Sequence, residues 1–589
     1  SSDMDERTLR EIYFPAFETA VKKAQPWTVM CSYNLINGEY SSENDNLLNK
    51  VLRDEWGFKG YVMSDWGAVN DRVKGLAAGL DLEMPSSGGL NDAKIVEAVK
   101  NGTLDERILD TAVKRILEQV YRYRDVKGGE HTFDRGIDHK KAAEIAKECM
   151  VLLKNDGALP LPSGGAKIAF IGAFAKNPRI QGGGSSHINT RNISNALESA
   201  AKYAEISYAE GYEREANDTN PALLEEAVQL AADSDVAVIF AGLPDSFESE
   251  GYDRKHMRMP DCQNELIDEI CKVQENIIVV LHNGSPVEMP WNDKVSAVLE
   301  VYLSGEATGE ATADILFGKA NPCGKLAETI PMKLSDTPCY LTFPGDRHAE
   351  YNEGVFVGYR YYDKKEMAVR YPFGHGLSYT TFEYSDIKLS DTAVGDNDIL
   401  TVNAVITNIG NCAGKETVQL YVADKSGFAV RPEKELKDFI KVELQPGESK
   451  TVTFRLDKRA FSYYHEELGD WYAPNGKYDI MIASSSRDIR LTAEVTHKTS
   501  VKLPFVATEN TVFGEFMDYA EGKATLDLLF SKVAKGLLGG DHFEPEAVRS
   551  MIGSMPLRQI RSFGGISDEL LQQAVDMLNK DFGGSKAQM

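Results

Sequence analysis

At 589 residues the chain is too long for a single hydrophobic core and predicts three or four domains. Its 42% hydrophobic and 26% charged residues are ordinary for globular protein, while a net charge of −25 repels phosphate backbones and argues against nucleic acid as a partner. No apolar run approaches the roughly 18–20 residues of a membrane span, so a membrane is not an expected partner either.

Helix and strand patterns alternate over residues 1–125. The spacing predicts a helix over 8–24, with Leu9, Ile12, Tyr13, Phe17 and Val21 on one side. A strand over 27–34, a helix over 43–56 and the strand "GYVMSDW" follow. Next come a helix over 68–78, a strand over 79–85 and helices over 91–100 and 105–123. Repeated βα units imply a parallel sheet covered by helices. Each strand ends in a polar cluster: Tyr33–Asn34, Asp65–Trp66 and Asp81–Glu83. In a (β/α)8 barrel such ends meet at one face, where reactions occur, but closure takes about eight strands.

Residues 126–345 read as a second α/β unit. A predicted helix over 139–150 leads into "MVLLKNDGALPLP", and continuous apolar strands follow over 167–175, 234–243, 276–287 and 295–305. Strands of this kind are buried on both faces of a parallel sheet. The aromatic, Gly-rich stretch 346–385 reads as an interdomain crossing. Residues 386–497 alternate apolar and polar with turns between, as in a β-sandwich of about seven strands. Residues 498–589 read as a helical extension broken at Gly514, Gly536, Gly539, Gly540 and Gly553.

The seven cysteines, Cys31, Cys149, Cys262, Cys271, Cys323, Cys339 and Cys412, are odd in number, scattered and without a CxxC pair. They predict reduced, mostly buried thiols rather than a disulfide framework or zinc site, and the expected compartment is cytoplasmic. The histidines show no HExxH or clustered ligand spacing, so neither a metal nor another cofactor is expected.

Asp65 stands at the mouth of a strand with an indole beside it. A carboxylate there either bonds loop amides or acts as a nucleophile, and Trp66 either packs at the rim or stacks on a sugar. The loop "FESEGYDR" (247–254) crowds Glu248, Glu250, Asp253 and Arg254 after another strand, as solvated charge or as an acid. Two such carboxylates about 5–5.5 Å apart would suit retaining glycoside hydrolysis. "QGGGSS" (181–186) has no Walker lysine and reads as a tight turn. His187 reads as a loop surface residue, and Asp81 and Glu83 as carboxylates bonding their loop.

The segments "TVMCSYNLING", "VLRDEWGFKGYVMSDWGA", "LLKNDGALPL", "ESEGYDR", "GKLAETIP" and "VGYRYYDKKEMAVRYPFGHGLSYTTF" together resemble family 3 glycoside hydrolases of the β-glucosidase type. The resemblance runs in order along nearly the whole chain. It implies a multidomain α/β plus all-β fold: the C-terminal part of a TIM-like barrel over 1–125, an (α/β)6 sandwich over 126–345, a linker over 346–385, a fibronectin type III-like domain over 386–497 and a helical extension over 498–589. Carried over position by position, it implies Asp65 as nucleophile and Glu250 as acid/base, with Glu248 the alternative if the loop is shifted. Tyr33 is implied as the hydrogen-bond donor to the nucleophile, and Met30 and Trp66 as pocket-lining residues. Glu250 is expected to start protonated, its pKa held up by its surroundings.

One departure stands out. The family's aspartate, arginine and Lys-His pair that grip the sugar in subsite −1 have no counterpart before "ERTLREIY". About five barrel strands are therefore expected to come from elsewhere, in cis or in trans. Strand edges and an apolar helix face are expected to lie uncovered, and the chain alone is expected to be inactive. The implied function is the catalytic portion of a retaining, exo-acting β-glucosidase taking a β-glucoside or short β-glucan oligosaccharide, with homo-oligomerisation open. β-Xylosidase and exo-glucanase activity remain alternatives, as does a non-catalytic carbohydrate-binding or assembly chain. The absence of a His-containing dyad loop argues against the family's hexosaminidase branch.

Overall fold

The computed structural model describes residues 1–126, 128, 132–532, 550, 552–564 and 566–588. The first segment contains α1 (Pro15–Ala24), β1 (Thr28–Met30), α2 (Asn46–Glu55), β2 (Tyr61–Met63), α3 (Arg72–Ala78), α4 (Leu90–Lys100) and α5 (Glu106–Val126). The helix expected over 8–24 is interrupted because Pro15, which has no amide donor, starts a new helix at its own first position. The helix expected from residue 68 begins at Arg72, where the Asp71 carboxylate caps the amides of Val73 and Lys74.

β1 and β2 pair in parallel, Thr28 with Tyr61 through Met30 with Met63. The strand expected over 79–85 is reduced to a single bridge between Met63 and Leu82. Side chains take over the ladder there. The Asp81 carboxylate accepts the Val62 amide at 2.8 Å, and the Arg72 guanidinium occupies the carbonyls of Leu80 and Asp81 at 3.0 Å each. The described residues thus form a three-stranded arc rather than a closed barrel. Its packed side holds Leu48, Val51, Leu52, Trp56, Val62 and Leu80. The same cluster opens into an apolar groove of about 280 Å³ lined by Leu9, Phe14, Phe17, Val29 and Met30 together with Leu48, Leu52 and Trp56, with Phe17 61% exposed.

The second unit follows α6 (Arg135–Cys149) with β3 (Val151–Asn155), β4 (Ile168–Ile171), α7 (Ala196–Ala200), β5 (Ile206–Ala209), α8 (Pro221–Ala232), β6 (Val236–Gly242), α9 (Asp261–Ile270), β7 (Ile277–His282), β8 (Ala297–Glu300) and α10 (Thr308–Leu316). The sheet order is β3-β8-β7-β6-β4-β5. All pairs are parallel except β3, which runs antiparallel to β8 at the edge. β6 and β7 are buried at every position, as their unbroken apolar runs require. Gly242 ends β6 at φ +143°, and a Cβ there would stand 2.2 Å from the His282 carbonyl oxygen, so only glycine lets β6 and β7 meet at this end.

The crossing segment is partly ordered into structure. Ala349–Glu350 pairs in parallel with Ser2–Asp3, which returns the chain to the barrel arc. The sandwich consists of β9 (Phe382–Leu389), β10 (Ala393–Gly395), β11 (Leu400–Asn408), β12 (Gly414–Asp424), β13 (Glu435–Leu444), β14 (Ser449–Leu456), β15 (Gly476–Ser485) and β16 (Asp488–Lys498). These form sheets β9-β11-β14 and β10-β16-β15-β12-β13, one strand more than the alternation alone suggested. In the extension, helices at Lys523–Lys532, Ile560–Gly564 and Asp568–Phe582 surround Phe505, Phe513, Phe516, Leu557 and Leu578. Of its expected glycine breaks, Gly536, Gly539 and Gly540 lie outside the described residues.

Ion pairs tie the units together. Arg459 of the sandwich reaches Glu18 at 3.1 Å, and the Tyr464 amide donates to Glu11 at 2.8 Å. Glu148, near the end of α6, accepts from Lys415, from Lys441 at 2.8 Å and from the Cys323 thiol at 3.3 Å. Partial burial pushes the Glu148 carboxyl up, but hydrogen bonds from Lys415, Lys441 and Cys323 outweigh it and bring the pKa down to about 2.

Two outcomes follow from this packing. Gly242→Ala should lower stability to urea by about 2–4 kcal/mol through the backbone clash between β6 and β7; a wild-type midpoint would refute that close approach. A carboxyl with a depressed folded pKa stabilises above its unfolded pKa and ceases to do so as pH falls through the folded value. Between pH 5 and pH 2, wild-type protein should therefore lose about 1 kcal/mol more stability than Glu148→Gln, a modest amount because the carboxylate is partly exposed and screened. Parallel pH profiles of the two proteins check it.

Candidate active site

β2 delivers its last residues to the open end of the arc. Ser64 is buried and stitched to the next strand end: its amide donates to Leu82 O at 2.9 Å, and its hydroxyl accepts the Met84 amide at 2.8 Å. The Gly67 amide closes the turn onto Met84 O at 2.9 Å. Asp65 therefore emerges from a backbone fixed on both sides. Its Oδ1 accepts the Tyr33 hydroxyl at 2.9 Å and the Trp66 amide at 2.7 Å. That bond to Asp65 pushes the Tyr33 phenol above its ordinary value, because the carboxylate disfavours a second negative charge. Around Asp65 three apolar side chains are open: Trp66 is 70% exposed, Met30 56% and Tyr33 52%.

Asp81 lies beneath, not in the site. Its carboxylate accepts from Arg53 at 2.6 Å and Arg115 at 3.0 Å. Glu83 accepts from Asn91 at 2.6 Å. Both acids hold the strand ends in place.

The second carboxylate group is presented by the loop after β6. Arg179, only 1% exposed at its side chain, donates to Asp245 at 2.9 Å, to Glu248 Oε2 at 2.5 Å and to the carbonyls of Leu243 and Glu248 at 3.2 and 3.1 Å. Glu248 also accepts the Gly284 amide at 2.9 Å and the Ser285 hydroxyl. Burial pushes Glu248 up, but Ser285, Gly284 and Arg179 outweigh it and hold the carboxyl below its usual range. Glu248 is thus turned inward and fully engaged, which suits an anchor and not a proton donor. Two residues on, Glu250 is exposed; it feels the charge of Asp65, and its own charge reaches Tyr33.

Glu250 departs from expectation in one respect. The Ser185 amide donates to its Oε2 at 2.5 Å, and hydrogen bonding from Ser185 holds its pKa below the usual carboxylate value. An exposed carboxyl facing an amide donor is stabilised as the anion, so in this conformation its surroundings lower the pKa and do not raise it. The "QGGGSS" turn is the reason: at Gly184, with φ +89°, a Cβ would lie 2.4 Å from both Glu250 Cβ and Oε2. Three consecutive glycines were the visible signal for this contact, whereas nothing in the neighbourhood of Arg179 marked it as the loop's anchor. His187 is exposed and meets Gln181 at 3.2 Å.

Among the described residues no group of His, Cys, Asp and Glu could hold a metal ion, and no helix is long and apolar enough to cross a membrane.

Comparison with known proteins is consistent across the chain. Residues 1–119 match the glycosyl hydrolase family 3 N-terminal domain, 150–379 the glycosyl hydrolase family 3 C-terminal domain and 416–486 a fibronectin type III-like domain. The thermostable β-glucosidase B of Acetivibrio thermocellus is 52% identical over 584 residues, spanning 98% of this chain and 77% of that protein. An exo-α-(1→6)-L-arabinopyranosidase of Bifidobacterium breve is 45% identical over 523 residues, 87% of this chain and 68% of its own length. The crystal structure of a Bifidobacterium adolescentis GH3 β-glucosidase superposes with a TM-score of 0.84 at 44% identity, covering 89% of this chain and 77% of that one.

Gly184→Ala should push the Glu250 carboxylate off the Ser185 amide. Removing a donor to the anion raises the acid's pKa, so carboxyl ¹³C titration of Glu250 should move toward the ordinary glutamate value of about 4.3, with a stability loss of about 1 kcal/mol or more from the positive φ at this position. An unchanged titration would show that the Ser185 contact does not control this group.

Proposed function

The chain belongs to glycoside hydrolase family 3, and from that premise we propose that it carries both catalytic carboxylates of a retaining, exo-acting β-glucosidase. One observation supports this above the others. Asp65 stands at a strand mouth with the Tyr33 hydroxyl on its Oδ1 at 2.9 Å, while the loop of a second domain brings Glu250 into its electrostatic field.

In this reading Asp65 Oδ attacks the anomeric carbon as the glycosidic bond breaks, forming a glycosyl ester and releasing the aglycone oxygen. Tyr33 orients the attacking carboxylate by its hydrogen bond. Glu250 transfers its proton to the departing oxygen, then as carboxylate takes a proton from the water that hydrolyses the ester. The ionised, Ser185-bound form of Glu250 fits the second of these steps. The first requires the carboxyl to leave the Ser185 amide and take up a proton, which substrate desolvation of the cleft favours. Trp66 and Met30 offer exposed apolar surface for the sugar faces.

The β-glucosidase relatives favour a β-D-glucoside or short β-glucan oligosaccharide as substrate. The arabinopyranosidase relative supports a second reading, an α-L-arabinopyranoside, and β-xylosides remain a third. The described residues contribute three barrel strands, and a closed barrel takes eight. Turnover is therefore expected only with the remaining strands present, in the same polypeptide or a second one.

The test is a panel of chromogenic β-glucoside, β-xyloside and α-L-arabinopyranoside, assayed with this chain alone and with the remaining barrel strands added. Expected is no turnover alone, recovery with the added strands and retained anomeric configuration in the product. Glu250→Gln should reduce recovered turnover of poor leaving groups by about 10²–10⁴-fold, and Asp65→Asn should abolish the covalent glycosyl-enzyme seen by mass spectrometry. Full turnover by Asp65→Asn, or sugar binding without turnover in the complemented wild type, would overturn the proposal.

A further inference from the structure

A second cavity lies behind the Glu250 loop, walled on one side by Arg254 and His256 and on the other by the crossing segment. It measures about 540 Å³, enough for a ligand of monosaccharide size. Its walls carry hydrogen-bonding capacity that the protein itself does not use. Arg254 donates from Nη1 to Ser285 Oγ at 2.7 Å and Pro286 O at 2.8 Å, but its Nε and Nη2 are buried without a partner among the described residues. Arg360 Nε is likewise buried and unpartnered; among the described residues its guanidinium has no carboxylate within ion-pair distance and lies 5.0 Å from the Tyr359 ring centroid. Thr329, 7% exposed, lines the same cavity with an unpartnered Oγ1, as does His256 with Nδ1.

The charge balance of this cavity is positive. Glu248 is the acid nearest Arg254, 3.9 Å from Nη1, yet Arg179 already neutralises it at 2.5 Å. Asp363, three residues from Arg360, is taken by Lys434 at 2.8 Å and Arg487 at 2.7 Å. Glu328, also in the wall, is pushed up to about 7 by burial and by the charge of Glu248, so near neutrality it is only partly ionised. Arg254 shares Glu248 with Arg179 and feels Glu288, and among the described residues Arg360 has only the through-space field of Glu435. Partly buried guanidinium groups matched this incompletely are costly, and their planar forks match the geometry of an oxyanion. The remaining walls, including Tyr362 and Phe373, are apolar enough to pack against a ring.

We propose that this cavity is a binding site, separate from Asp65 and Glu250, for a small organic oxyanion of monosaccharide size held by Arg254, Arg360 and Thr329. A carboxylate and a phosphate share this chemistry, so glucuronate, glucose 6-phosphate, inorganic phosphate and neutral glucose serve as probes. The site does not rest on the glycosidase reading.

Isothermal titration at low salt should show binding of glucuronate or glucose 6-phosphate and none of glucose through this cavity. Asp65→Asn should bind the anion as wild type does, which separates this site from the proposed active centre. Arg360→Met and Thr329→Val should weaken binding at least tenfold, with Arg360→Lys recovering part of it. Hydrogen exchange on wild-type protein needs no substitution, and the bound anion should protect residues 254–257 and 357–362. Binding of inorganic phosphate alone would restrict the site to the anion without a ring contact and overturn the assignment of an organic ligand. Absence of binding by every anion, binding undiminished in Arg360→Met, or loss of binding in Asp65→Asn would overturn the site itself.

Discussion

The buried guanidinium of Arg179 is the constraint on which the candidate site most depends. A charge withdrawn from water costs several kcal/mol unless it is matched by opposite charge and hydrogen-bonded at every donor it can use. Here the match is supplied by Asp245 and Glu248 together with the carbonyls of Leu243 and Glu248. Meeting that demand folds the loop after β6 onto itself. Glu248 then reaches the Gly284 amide and Ser285 hydroxyl of the loop after β7, so neighbouring loops at one end of the sheet become a single body. Glu250 is left at the outer edge of that body. Its position is set by the needs of a buried arginine that holds Glu248, two residues before it in the chain.

The barrel arc repeats the same logic with different residues. Asp81 sits under the strand ends, bound by Arg53 and Arg115, while Arg72 holds the adjoining carbonyls. This cluster supplements the sparse ladder at Leu80–Asp81, just before the level at which Ser64 and Asp65 emerge. On each side of the candidate site a solvent-accessible carboxylate, Asp65 or Glu250, is therefore accompanied by a more deeply set one, Asp81 or Glu248, that is locked by arginine. Such buried pairs add little net stability; their effect is to select one geometry among several compact ones, because every alternative leaves a charge unmatched.

The sandwich and crossing segment complete the placement. The Glu148 contacts with Lys415 and Lys441 join the α/β unit to the sandwich, and Arg459 with Glu18 joins the sandwich to the barrel arc. Ala349–Glu350 adds a strand beside Ser2–Asp3. The α/β unit is thereby linked to the arc through both the sandwich and the crossing segment, and the Glu250 loop is held near Asp65 by these connections rather than by its own short reach.

Much of this was legible in the residues alone. The unbroken apolar runs within 234–243 and 276–287 announced buried parallel strands, and the alternation over 400–410 a sandwich, because burial on two faces or one imposes those patterns directly. The motif around Asp65 and the "ESEGYDR" loop marked the candidate carboxylates. Other features were decided only by contacts between distant segments. The strand expected at 79–85 gave way to Arg72 and Asp81, the choice between Glu248 and Glu250 as the outward carboxylate followed from Arg179, and the Glu250 pKa moved opposite to expectation because Ser185, 65 positions earlier, donates to it. Local pattern determined which elements form, since periodicity is a property of neighbouring residues. Which carboxylate is buried, paired or free was decided by the tertiary fold, since electrostatic fields depend on what lies within a few ångströms in space and not along the chain.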